Sequence, residues 1–152
     1  NDQSVRKIME VNYMAPALLL QRLIKNRKIS RNASIIVISS VTSANYGSIG
    51  GTIYGSSKGA LEGLVKSLSV ELGRQGIRVN SISPGIIETE AIEALKKSLG
   101  EESFQSDLKK YPLGRYGEPE DVASAVHFLM SNSSSWITGT NLIVDGGLTA
   151  HS

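Results

Sequence analysis

The sequence predicts an α/β fold built on a parallel sheet, and three observations predict it. Helical apolar spacing and short β-branched runs alternate in the order helix, strand, helix, strand, helix, strand. Ser34-Ile35-Ile36-Val37-Ile38-Ser39 shows no polar alternation, which marks a central parallel strand buried on both faces. A helical stretch separates each pair of strands, which implies right-handed crossovers and parallel pairing.

The elements follow in order. Ile8, Val11, Ala15, Leu18, Leu19 and Leu23 recur at helical spacing and predict a helix over about 2–26, with Asp2 as its N-cap. Pro16 lies inside and should kink the helix or make it adapt locally. The basic run Lys25-Asn26-Arg27-Lys28 suits a helix C-terminus. After the first strand, residues 41–52 are rich in Ser, Thr and Gly and read as a loop. Leu61, Leu64, Val65, Leu68 and Leu72 share one face of a second helix over about 54–74, while Gly55, Gly59 and Gly63 keep another face thin. Gly in a helix costs about 1 kcal/mol relative to Ala, so close packing on that face is expected. Ile77-Arg78-Val79-Asn80-Ser81-Ile82 is the next strand, and Pro84-Gly85 breaks it. Residues 88–110 are charged and amphipathic and read as one or two helices. Pro119 opens a helix to about 131, and Asn141-Leu142-Ile143-Val144 is the last strand.

Composition excludes several function classes. The net charge of +2 is too small to argue for nucleic acid or an anionic membrane. Cysteine is absent, so there is no disulfide framework, thiolate metal site or thiol nucleophile, and a reducing, cytoplasmic setting is expected. No apolar run approaches the roughly 20 residues that span a bilayer. The polar start Asn1-Asp2-Gln3-Ser4 does not read as a secretory leader. His127 reads as a packed or surface residue and His151 as tail; neither has the neighbours a metal would need.

Tyr54 and Lys58 carry the chemistry. Four residues apart on a helix, they lie on one face, one turn apart. A free phenol, with a pKa of about 10, is a poor proton donor at neutral pH, and a fixed cation beside it favours the phenolate. Such a pair can move a proton between an alcohol and a carbonyl. Chance alone gives about 0.3 such pairs in a chain of this composition, so the surroundings must support it.

They do so as a set: Asn12 in Val11-Asn12-Tyr13, Ile38-Ser39-Ser40, Tyr54-x-x-x-Lys58, Asn80-x-Ile82-x-Pro84-Gly85, Thr89 and Asp145-Gly146-Gly147. Pro112-Leu113-Gly114-Arg115, Gly117-Glu118-Pro119-Glu120-Asp121-Val122-Ala123 and Ile137-Thr138-Gly139 join them. In this order, from Asn12 to Gly147, they resemble the C-terminal part of the short-chain dehydrogenase/reductase family. Within it, Ser83-Pro84-Gly85-Ile86-Ile87-Glu88-Thr89 is most similar to the 3-oxoacyl-(acyl-carrier-protein) reductases. The resemblance implies a Rossmann-like, doubly wound parallel sheet, of which this chain supplies roughly the second half as a single domain. It implies that Tyr54 is the general acid, that Lys58 lowers its pKa and binds the nicotinamide ribose, and that Ser40 polarises the substrate carbonyl. Asn12, through a helix distortion, would hold a water linking Lys58 to solvent. Pro84, Gly85, Ile87 and Thr89 would pass along the nicotinamide, with the Ile87 backbone bonding the carboxamide and Thr89 bonding the carboxamide or a phosphate. The implied cofactor is NADP(H) or NAD(H), NADP(H) ahead. The implied substrate is a small carbonyl compound, foremost a 3-oxoacyl thioester carried by an acyl carrier protein. A homodimer or homotetramer is implied, through the two long helices and the last strand.

One family feature is missing. No Gly-rich turn follows a strand and opens the first helix, and no acidic or basic selector of the adenosine ribose is recognisable. The chain therefore reads as the catalytic portion of a longer protein, inactive alone and a weak binder of the cofactor. Alternatives are a sugar, polyol or other secondary-alcohol dehydrogenase, and, in another class, a non-catalytic oligomerisation module.

Overall fold

The computed structural model describes residues 2–99 and 101–150; His151 lies outside them. Helix α1 (Asp2–Met9) runs through a π turn (Glu10–Met14) into α2 (Ala15–Lys25). There follow β1 (Ser34–Ile38), α3 (Thr52–Gly73), β2 (Arg78–Pro84), α4 (Glu90–Leu99), α5 (Glu101–Leu108), α6 (Pro119–Met130) and β3 (Asn141–Val144). The strands form one parallel sheet in the order β1-β2-β3, in which Ser81 lies opposite both Val37 and Asn141. The predicted alternation is therefore the observed one. None of the described helices is long and apolar enough to cross a membrane.

Side chains alternate across a strand, so the register puts Val37, Val79, Ser81 and Ser83 on one face of the sheet. That face meets α3. Leu61, Val65, Leu68 and Leu72 close on Val37, Ile77 and Val79, with Tyr13, Leu20 and Ile24 at the margin. Each such fully buried side chain stabilises the fold by about 1.5–3 kcal/mol. The other face carries α6. The Arg78 guanidinium reaches across to the Leu129 carbonyl (2.8 Å), the Ser134 hydroxyl (3.0 Å) and the Ser131 carbonyl, a cation set against the C-terminal end of α6.

Three local expectations are corrected and a fourth is narrowed. β1 is not buried on both faces: Ile38 is 43% exposed, because among the described residues β1 pairs with β2 alone and α6 covers only its start, where the Ser34 hydroxyl meets the Leu129 carbonyl. For Pro16 the local adaptation is observed rather than the kink: the π turn interrupts the first helix just before it. Proline sits in the first turn of α2, where a missing N–H costs little. β2 runs on through Pro84, whose carbonyl accepts the Val41 N–H. Asp2 is the first helical residue of α1 rather than its cap.

Two of the sequence motifs prove architectural. Asn80, wholly buried, donates to the Ile137 carbonyl (3.0 Å) and accepts the Thr140 N–H (3.1 Å), pinning the loop that feeds β3. The Asp145 carboxylate accepts the N–H groups of Gly147 and Thr149 and the Thr149 hydroxyl. Gly147 has φ +87°, and a Cβ there would stand 2.8 Å from the Pro112 ring. Only glycine tolerates both.

A third motif sets acid stability. Arg115 grips Asp121 through two bonds of 2.7 and 2.9 Å, and Asp121 also accepts the Glu118 N–H at the start of α6. The guanidinium first, then the amide, hold the Asp121 carboxyl down at about 2 against an ordinary 3.8. The folded state thus favours the charged form. This contribution is complete above about pH 4 and is lost as pH falls towards 2. Melting temperatures measured across that window should fall more steeply in the parent than in Asp121→Asn; parallel curves would remove Asp121 from the account.

Candidate active site

In open parallel sheets ligands bind beyond the carboxyl ends of the strands. Here β1 and β2 both end beside the first turns of α3, which carry Tyr54 and Lys58. Tyr54 is 43% exposed. The Lys58 ammonium lies 5.8 Å from the centroid of the Tyr54 ring and donates to the carbonyl of Ile38, the last residue of β1, at 3.1 Å. Burial pushes the pKa of Lys58 below its ordinary value. The helical spacing read from sequence therefore does bring phenol and ammonium together, with the strand end holding the lysine in place.

Ser40 stands just past β1. Its hydroxyl lies 3.0 Å from that of Thr42 and accepts the Thr42 N–H. Ser39 points the other way: it is 3% exposed and donates to the Lys58 carbonyl. Ser40 and Tyr54 line one cavity of about 690 Å³. Gly85, Ile86 and Ile87, which follow β2, and the buried ring of Tyr111 form its opposite wall. Val41, Ile49, Ile92 and Leu148 make much of the remainder apolar, and Tyr46 with the Lys110–Asp107 ion pair (2.8 Å) supplies a polar end. Tyr111 accepts the Ile86 N–H (3.3 Å), and burial raises its pKa above the ordinary phenol value.

Asn12 sits in the middle of the π turn. π turns insert extra backbone into a helix and re-aim side chains. Its amide donates to the Ser57 hydroxyl at 3.0 Å, and Ser57 donates to the Tyr54 carbonyl at 2.7 Å. Asn12 and Lys58 also line a common groove beside β1. The expected distortion is present, and it aims Asn12 at the helix that bears Tyr54.

Pro84 ends β2, and Gly85 donates its N–H to Val144. Ile87 forms an isolated parallel bridge with Gly117: Gly117 donates to the Ile86 carbonyl and Glu88 donates to the Gly117 carbonyl. That pattern turns the N–H and C=O of Ile87 itself to the opposite side. Thr89 stands apart from the cavity lining. Its exposed hydroxyl accepts the Ile92 N–H at 3.4 Å, as an N-cap of α4. Among the described residues no group of three His, Asp or Glu is placed to hold a metal.

Sequence reasoning reads 90–111 as pocket-lining without singling out Lys110 or Tyr111, and it misses Glu62 beneath the cavity. Glu62 lies one turn beyond Lys58, so helical spacing places Tyr54, Lys58 and Glu62 on one side of α3; Tyr111 gave no local signal.

The family model described as enoyl-(acyl carrier protein) reductase matches residues 1–149. Over 147 residues the chain is 41% identical to 3-oxoacyl-(acyl-carrier-protein) reductase FabG of Rickettsia prowazekii (strain Madrid E), which covers 97% of this chain and 59% of the relative. A short chain dehydrogenase family protein from Francisella tularensis subsp. tularensis SCHU S4 superposes with a TM-score of 0.89 at 29% identity, over 99% of this chain and 64% of that one. The angucycline C-6 ketoreductase LanV with bound NADP does so with a TM-score of 0.89 at 31% identity, over 99% and 56%. The chain thus spans about three fifths of the length of the relatives it matches. Its helix-covered parallel sheet is that of the Rossmann-fold proteins it superposes on. With nearly all of its residues matched, the chain belongs to the short-chain dehydrogenase/reductase family of oxidoreductases, and 3-oxoacyl-(acyl-carrier-protein) reductases are among its relatives.

Proposed function

We propose that the protein reduces a ketone to a secondary alcohol with NADP(H) or NAD(H), and that its substrate is a 3-oxoacyl thioester. The observation that carries the reading is one cavity lined by both Ser40 and Tyr54, from two different elements, with the Lys58 ammonium one helical turn behind. A carbonyl oxygen seated between the two hydroxyls would accept from Ser40 and take its proton from Tyr54. Lys58 places a cation beside the phenol. Asn12, aimed at the same helix by the π turn, would hold the water that returns a proton from solvent through Lys58. Positioned acid catalysis of this kind contributes about 10²–10⁴-fold.

The residues fit a nicotinamide dinucleotide in part. Lys58 would hold the ribose, and the amide of Ile87, turned away from Gly117, would meet the carboxamide as the ring lies along Pro84 and Gly85. The Thr89 hydroxyl accepts the Ile92 N–H, which leaves its own proton able to donate to the carboxamide or a phosphate. When bound, the nicotinamide supplies the hydride, and the protein supplies orientation and electrostatics. Solved relatives carry NADP (the angucycline C-6 ketoreductase LanV) and NADH (4-hydroxyisoleucine dehydrogenase), which supports a nicotinamide dinucleotide of either form. Turnover is assigned to the whole protein, of which these 152 residues form the catalytic portion.

The apolar walls and size of the cavity suit an acyl chain, and an acyl carrier protein would deliver it. A homodimer or homotetramer is supported by apolar side chains left open on the long helices and last strand, Leu19 at 58%, Val70 at 81% and Ile143 at 39%. Sedimentation of the full-length protein as a monomer would count against assembly. For the activity, the full-length protein is mixed with a 3-oxoacyl pantetheine thioester and NADPH, and nucleotide absorbance is followed. Reduction of the thioester is the expected result. Oxidation of a polyol or sugar with NAD+, with the thioester untouched, would overturn the substrate assignment.

A further inference from the structure

Glu62 has no place in the chemistry just described, yet four donors converge on its Oε1. The Ser43 hydroxyl and the Asn141 amide (3.1 Å) donate to it, and the Ser39 (3.3 Å) and Ser83 (3.4 Å) hydroxyls lie within reach, each sharing its one proton with a nearer acceptor, the Lys58 carbonyl (3.1 Å) and the Asn141 side-chain oxygen (2.9 Å). These donors come from β2 (Ser83), from β3 (Asn141), from Ser39 just past the end of β1 and from the turn that follows it (Ser43). Ser39 and Ser83 are buried, at 3% and 0% exposure. A charged acceptor makes each such bond stronger than a neutral pair does.

Two of the donors bracket Ser40. Ser39 precedes it and Ser43 follows by three residues, and Ser43 closes the turn by donating its N–H to the Ser40 carbonyl. Glu62 therefore holds both ends of the turn that presents the Ser40 hydroxyl. It does so from α3, the helix that presents Tyr54 and Lys58. The same turn is pressed against α3 at two glycines: a Cβ at Gly55 would stand 2.5 Å from the Thr42 carbonyl oxygen, and one at Gly59 would stand 3.4 Å from that of Ser43. Ser39 also donates to the carbonyl of Lys58 itself. Turn and helix are thus clamped from both sides, bare Cα atoms giving the close approach and one carboxylate giving the attachment.

We infer that Glu62 is a positioning residue: it fixes the Ser40 hydroxyl relative to the Tyr54–Lys58 pair. The inference rests on the roles proposed above for Ser40 and Tyr54. Removing the carboxylate need not unfold the chain, because Ser39 keeps the Lys58 carbonyl and Ser83 keeps the side-chain oxygen of Asn141 (2.9 Å).

The test uses the full-length protein and four variants, Glu62→Ala, Glu62→Gln, Ser40→Ala and the double variant Glu62→Ala/Ser40→Ala. Misplacing a reacting group by about 1 Å can cost roughly 10²-fold, so Glu62→Ala is expected to lower kcat by about ten- to a hundredfold, with cofactor affinity unchanged. Glu62→Gln keeps an oxygen acceptor and should recover most of the rate. In the Ser40→Ala background the Glu62 effect should largely vanish, since there is no hydroxyl left to place. Amide exchange in the nucleotide-free protein should quicken at Ser43 and Asn45 in Glu62→Ala, while amides of β2 stay protected. Equal losses with and without Ser40, or unchanged exchange in the turn, would overturn the inference. Full activity in Ser40→Ala and Tyr54→Phe would instead overturn the catalytic reading on which it rests.

Discussion

Tyr54→Phe in the full-length protein is expected to abolish measurable turnover while leaving cofactor affinity nearly unchanged. The substitution removes one hydroxyl and keeps the ring that lies 5.8 Å from the Lys58 ammonium. Tyr54 is 43% exposed, so its hydroxyl is not locked into the core. Exposed substitutions of this kind usually change stability by less than about 0.5 kcal/mol. The Lys58 bond to the Ile38 carbonyl and the Asn12–Ser57 contact involve other atoms and should survive. A loss of rate can then be read as a loss of proton transfer. Its size should be at least about 10²–10⁴-fold, the usual contribution of a positioned acid. Steady-state rates with the thioester, beside fluorescence titration with NADPH, separate the two quantities. Retained kcat would exclude Tyr54 as the acid, and a matching loss of nucleotide affinity would mean that the hydroxyl serves binding instead.

What could be read in advance was local. Tyr54 and Lys58 face one way because a helix repeats every 3.6 residues, and nothing elsewhere in the chain can change that. The order of elements was legible for the same reason: helical and strand periods differ over windows shorter than one element. Ser40 was harder. Adjacent residues at a strand end face opposite ways, and which one meets the cavity depends on where α3 lies. Ser39 turns under α3 to Lys58 and Glu62, and that leaves Ser40 for the cavity.

The exposure of Ile38 and the hub at Glu62 were not legible, for a common physical reason. The β-branched run of β1 has the composition of a strand covered on both faces, but coverage depends on what packs there. α6 reaches only the Ser34 end. Glu62 meets Asn141 across 79 residues of sequence. No local pattern distinguishes it from a solvated glutamate on a helix. The π turn is an intermediate case. A distortion near Asn12 was expected from the resemblance, while Pro16 suggested a kink or local adaptation of its own. In the fold the insertion is complete before Pro16, which sits in the first turn of α2.

The glycines of α3 make the sharpest test of this architecture, because the sign of the effect changes along one helix. Replacing Gly by Ala inside a helix ordinarily stabilises it by about 1 kcal/mol. Gly63 has nothing within 4 Å of a built Cβ, so Gly63→Ala should show that gain. Gly55 is buried, and its Cβ would stand 2.5 Å from the Thr42 carbonyl oxygen, a backbone atom that cannot rotate away. Either α3 or the turn must move. Overpacking of this kind costs about 1–3 kcal/mol, enough to outweigh the helical gain. The turn that must yield is the one presenting Ser40, so Gly55→Ala should also lower kcat, whereas Gly63→Ala should leave it unchanged. Denaturant unfolding and steady-state rates of the two single variants, measured in the full-length protein, give both signs. A Gly55→Ala variant that gains stability as Gly63→Ala does, with full activity, would show that the turn does not rest on the helix backbone and would remove the close approach on which the placement of Ser40 depends.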